Sequence, residues 1–174
     1  MKVLFNIILI ALSLIIQPVL AAKDYTITFE KQIEPFELLI PFYLLKVNNQ
    51  CMPKFGPYNF TLDSLSSKFS IDAQDVNSGA CVGRQKKIVW LVSRTLLPPT
   101  GLDPQSCLVQ FSVTFYWIAG WQAAVTSTCD DLVKQATCEG ENCYNYCADL
   151  DDCYMPTKVN FGNEEKDLIK IVFK

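Results

Sequence analysis

Residues 107–118 read CLVQFSVTFYWI. The odd positions Val109, Phe111, Val113, Phe115 and Trp117 are large and apolar, while Gln110, Ser112 and Thr114 are polar and Tyr116 is amphipathic. A helix would scatter these side chains around its circumference, whereas a strand puts them on opposite faces. The stretch therefore predicts a central core strand. Burying five such side chains contributes on the order of 10 kcal/mol before chain entropy is subtracted.

Working outward, the same period of two recurs. Tyr25, Ile27 and Phe29 alternate with Thr26, Thr28 and Glu30, which predicts a strand with one buried face. Residues 36–47 carry Phe36, Leu38, Ile40, Phe42 and Leu44 on one parity, with Pro41 on the other. Proline donates nothing to a ladder, so this strand is expected at an edge or bulged there. Residues 87–97 place Ile88, Trp90 and Val92 on one face before Pro98-Pro99 ends the run. They are apolar on both parities, as are residues 36–45, a pattern of strands buried on both faces. Near the C-terminus Ile169, Ile171 and Phe173 alternate with Lys170 and Lys174, a closing strand with an exposed lysine face.

Between these strands the composition turns polar. Residues 48–58 and 70–83 read as loops, and residues 63–69 as a short helix. Thr128 to Asp131 matches the [ST]-x-x-[DE] capping pattern ahead of Leu132 to Ala136. That predicts a second short helix over 130–138. The fold class that follows is mainly β, sandwich or barrel-like, with one or two short helices and a disulfide-rich C-terminal loop region.

Residues 1–22 begin with Met1-Lys2, run apolar from Val3 to Leu20 apart from Asn6, Ser13 and Gln17, with Pro18 breaking any helix, and end in Ala21-Ala22. This is the pattern of a cleaved secretory signal, leaving residues 23–174 as one extracellular domain. No later stretch reaches membrane-spanning length, so no membrane span is expected in the mature chain. There are eight cysteines and no histidine. Even count and secretory route favour four disulfides, from Cys51, Cys81, Cys107, Cys129, Cys138, Cys143, Cys147 and Cys153, over metal ligation. Their pairing is not legible from spacing.

The absence of histidine removes Ser-His-Asp and Cys-His catalysis and any His-containing zinc or copper site. The formal net charge is -3, and Arg84, Lys86 and Lys87 form the only basic cluster. That is too small to track a phosphate backbone, so nucleic acid is excluded as a partner. No cofactor and no metal is expected.

Five of the eight cysteines lie within residues 129–153. Five is odd, so at least one must reach back to Cys51, Cys81 or Cys107 and stitch this region to the β scaffold. Tyr144, Tyr146 and Tyr154 sit among these cysteines, with Asp149, Asp151 and Asp152 alongside. Aromatics on a cystine-locked loop form a pre-organised binding platform, although the commoner fate of such tyrosines is to pack over the bridges. Glu139 and Glu141 add acid to the cluster, but the spacing of a calcium loop is absent and a solvated acidic face is expected.

Asn59-Phe60-Thr61 is an N-glycosylation sequon, which makes Asn59 an expected surface site. The function these residues point to is extracellular binding of a protein or glycan partner. Two alternatives stand beside it. One is a carrier of a lipid or other apolar ligand between sheets, lined by Phe36, Phe42, Trp90 and Phe111. The other is a hydrolase using paired carboxylates, with Glu30, Glu34 and Glu37 as eligible as the acidic loop.

Overall fold

The computed structural model describes residues 22–33, 40–95, 106–116, 118–153, 157–161 and 166–174. Residues 1–21, expected to be a secretory signal, and Glu34, Phe36, Glu37, Leu38, Trp117 and Tyr154 lie outside these residues.

Among the described residues twelve strands form two sheets packed face to face. They are β1 Asp24–Lys31, β2 Phe42–Gln50, β3 Asn59–Leu62, β4 Lys68–Gln74, β5 Lys86–Arg94 and β6 Ser106–Tyr116. The second half adds β7 Gly120–Ser127, β8 Val133–Cys138, β9 Glu141–Asn142, β10 Tyr144–Tyr146, β11 Val159–Asn160 and β12 Lys166–Phe173. The smaller sheet runs β4-β1-β12-β8-β9. The larger runs β10-β7-β6-β5-β2-β3, with β11 also on the outer side of β7.

Alternation decides which residues meet between the sheets. Tyr25, Ile27 and Phe29 of β1 and Ile169, Ile171 and Phe173 of β12 face Trp90 of β5 and Val109, Phe111 and Val113 of β6, all buried. Their rings interlock. Phe29 lies 5.0 Å from Trp90 and 4.9 Å from Phe60, Phe42 lies 5.1 Å from Phe173, and Tyr25 lies 5.4 Å from Phe111. Such edge-on and tilted contacts contribute about 0.5–1.5 kcal/mol each beyond their burial. The space between sheets at Phe42, Trp90 and Phe111 is thus filled by side chains of the core itself.

The stretch 107–118 behaves as expected through Val113, pairing with β5 on one side and β7 on the other. Beyond it Phe115 leaves the core and packs on Trp121 at 5.2 Å, and Ile118 is exposed in the turn to β7. On β5 both faces are buried from Ile88 to Ser93, in keeping with its two apolar parities.

Four expectations about local structure are corrected. Residues 63–69 are not helical: the Asp63 carboxylate accepts the N–H groups of Leu65 (2.8 Å) and Ser66 (2.7 Å), making a tight turn into β4. A short acidic side chain that caps its own turn competes with helix formation. Residues 70–74 are strand and not loop, since β4 pairs with β1 and buries Ile71 and Ala73, whereas residues 75–83 carry no strand, as expected.

Residues 130–138 are not a helix either. Thr128, expected as a cap, accepts the N–H of Leu108 through its hydroxyl at 2.8 Å, and β8 then pairs with β12. Burying Val133, Ala136 and Cys138 against the other sheet outweighs a modest helix propensity. Finally, β2 lies inside the larger sheet between β5 and β3, begins just after Pro41, and is irregular between Lys46 and Asn48. The single helical turn among the described residues is a 3-10 turn at Gly79–Cys81.

All eight cysteines are paired, each with its neighbour in sequence: Cys51–Cys81, Cys107–Cys129, Cys138–Cys143 and Cys147–Cys153. The odd cysteine of the C-terminal group is Cys129, and its bond to Cys107 ties the start of that group to β6. The group also carries strands. It supplies β8 and β9 to one sheet and β10 to the other.

Candidate functional site

The cystine-rich segment is shaped by β10. Alternation turns Asn145 to one side of the strand and Tyr144 and Tyr146 to the other. Asn145 is buried, its amide donating to the Thr157 carbonyl at 2.8 Å and accepting the Thr157 N–H at 2.9 Å. That pair of bonds fastens the chain on the far side of Cys153 to the sheet edge.

The two tyrosines differ. Tyr144 packs partly against the core, and burial pushes its phenol above the ordinary tyrosine range. Tyr146 projects outward, 51% exposed, between Asn145 and Cys147 at 5% and 7%. Tyr154 lies outside the described residues.

The carboxylates divide in the same way. Asp149, Asp151 and Asp152 are exposed on the loop closed by Cys147–Cys153, and Asp149 accepts the Asp151 N–H at 3.0 Å. Glu139 instead accepts the backbone N–H of Leu168, joining the β8–β9 turn to β12. Among the described residues no group of three or more acidic or cysteine side chains is arranged to hold a metal ion. Glu30 is paired with Lys170 at 2.9 Å. Asn59 opens the edge strand β3 and is exposed.

A second constellation lies inside the sandwich, and it was not anticipated. Asp75, just past β4, is buried together with Tyr25 and Lys86. Its Oδ2 accepts the Tyr25 hydroxyl at 2.9 Å and stands 2.9 Å from the Lys86 ammonium. Its Oδ1 accepts the Lys23 N–H at 2.8 Å. The Trp121 ring covers the Lys86 nitrogen at 3.9 Å, a favourable place for a cation. Close by, Lys23, the residue before β1, bridges to the buried Asp167 of β12 at 2.6 Å.

Burial drives the Tyr25 phenol far above its ordinary range, with the Asp75 charge adding to the effect. Burial pushes the Lys86 ammonium down, against the pull of Asp75. The signal for this cluster was parity. Tyr25 stands in phase with Ile27 and Phe29, Lys86 with Ile88 and Trp90, and Asp75 with Ile71 and Ala73. Reading Lys86 as part of a basic surface cluster concealed it.

Fold and cystine pattern define the class: a disulfide-linked β-sandwich of two sheets. Comparison of the chain with protein-family models, curated proteins and solved structures finds no match. Function is therefore argued from the chain's own residues.

Proposed function

We propose that this is a secreted binding protein that meets an extracellular protein or glycan partner through the segment bounded by Tyr144 and Cys153. The observation that carries the reading is Tyr146, held outward between two buried neighbours on a strand that hydrogen bonds and disulfides immobilise. A large amphipathic ring presented on a stiff frame lowers the ordering entropy that binding would otherwise lose. Asp149, Asp151 and Asp152 beside it favour a partner surface carrying basic or hydroxyl groups.

Export is supported by the N-terminal signal pattern of residues 1–22 and by four disulfides, which persist in oxidising compartments. Among the described residues no helix is long and apolar enough to cross a membrane. Asn59 completes the reading as a glycan-bearing position, since its side chain is exposed at a sheet edge.

The test is a glycan array and an extracellular pull-down with the secreted protein, each repeated with Tyr146→Ala. A partner held by the parent and bound at least about tenfold more weakly by the variant is expected, the range of an interfacial aromatic anchor. A partner that binds both equally would move the site elsewhere on the surface.

A further inference from the structure

The Lys86–Asp75 pair is a contact that can become a bond. We propose that Lys86 and Asp75 condense to an intramolecular amide, a covalent cross-link between β5 and the end of β4 that ties the two sheets together.

The geometry supplies what the reaction needs. The side chains of Lys86 and Asp75 are essentially without solvent contact (0% and 1%), so the product is shielded from hydrolysis. The reacting groups are held at 2.9 Å, Lys86 by β5 of one sheet and Asp75 just past β4 of the other, which replaces a diffusive encounter with a fixed one. Burying an ion pair carries a desolvation penalty that contact only partly offsets, and the neutral amide removes both charges. The lowered proton affinity of Lys86 favours the free amine in this setting.

The steps balance with water as the only other product. Lys86 passes one ammonium proton to Oδ2 of Asp75 across their hydrogen bond. The freed Nζ lone pair attacks Cγ, and the charge that develops on Oδ1 is met by the Lys23 N–H already bonded there at 2.8 Å. Nζ sheds its second proton to the same Oδ2, while the Tyr25 hydroxyl, 2.9 Å from that oxygen, keeps its own proton and fixes the carboxyl by its hydrogen bond. Oδ2 leaves as water, the C–N bond remains, and Oδ1 becomes the amide carbonyl. No oxidant or cofactor takes part.

The experiment uses the full secreted chain, deglycosylated, fully reduced and denatured, read by intact and tryptic mass spectrometry. The expected mass is that of the mature sequence less one water, and trypsin should fail to cut after Lys86. A branched peptide joining the segments that contain Asp75 and Lys86 should appear. Asp75→Asn should expel ammonia instead and converge on the same product mass, while Lys86→Met should keep its full sequence mass. Tyr25→Phe should cross-link at least about tenfold more slowly, as loss of a hydrogen bond that positions the reacting carboxyl does. A parent protein of full sequence mass with a free, cleavable Lys86 would overturn the proposal, leaving a buried ion pair. A branch from Lys86 to Asn77, with loss of ammonia, would overturn the assignment to Asp75.

Discussion

At the scale of single residues, burial decides which polar groups can change state. Tyr25 keeps its proton because the folded site excludes water and faces the Asp75 carboxylate. Its folded value is raised, so the stability it contributes is full below about pH 10, where an unfolded tyrosine begins to ionise, and is lost as pH rises further. Urea unfolding between neutral pH and pH 11 should show a Tyr25 share of up to ~1.4 kcal/mol per pH unit, absent in Tyr25→Phe. Both proteins are compared with Lys86→Met in place, where no cross-link forms and Lys86 does not titrate, so the difference between their slopes reports Tyr25. Gly56 makes a second case. A Cβ placed there would stand 2.5 Å from Cγ2 of the buried Ile71, a branched side chain with little freedom. Gly56→Ala should therefore lower stability by about 1–3 kcal/mol in thermal or urea unfolding.

At the scale of elements, strands were legible wherever polar and apolar residues alternate, and illegible where a short polar motif imitated something else. β1, β5, β6 and β12 could be read directly because their inward residues are large. β4 was hidden because Ser70, Asp72 and Gln74 make it look like loop, although Ile71 and Ala73 point inward. β8 was read as helix because local propensity and a capping pattern agreed, while its partner β12 lies about thirty residues further along the chain. The β8–β9 connection shows what local chemistry does specify. Glu139 (φ 50) and Gly140 (φ 82) are both left-handed, the requirement of a two-residue hairpin turn. Gly140→Ala should cost about 1 kcal/mol, measured by unfolding, since alanine adopts that conformation with strain. The candidate site divides the same way. Alternation along β10 was available to separate Asn145 from the tyrosines, but which face met solvent depended on β7 and Thr157.

At the scale of the whole molecule, sequential disulfides reinforce a sandwich that already has its own aromatic core. Their loops differ in span, with separations of 30, 22, 5 and 6 residues. Restriction of the unfolded chain grows with span, so replacing Cys107 and Cys129 together by serine should lower stability by about 3 kcal/mol. The same change at Cys147 and Cys153 should lower it by about 2. Urea midpoints of the two double variants check the order, and their reversal would show that the short loop holds native structure in some further way.

Residue order alone determined the β class, the even cysteine count, the lack of histidine chemistry and the identity of most core side chains. Each of these follows from composition or from a period of two, which is a property of neighbours along the chain. The tertiary structure decided the cysteine pairing, the strand fate of residues 130–138, the outward turn of Tyr146 and the meeting of Tyr25, Asp75 and Lys86. Those depend on which strands lie side by side and which faces oppose across the core. Such contacts join residues up to tens of positions apart, and no local pattern encodes them.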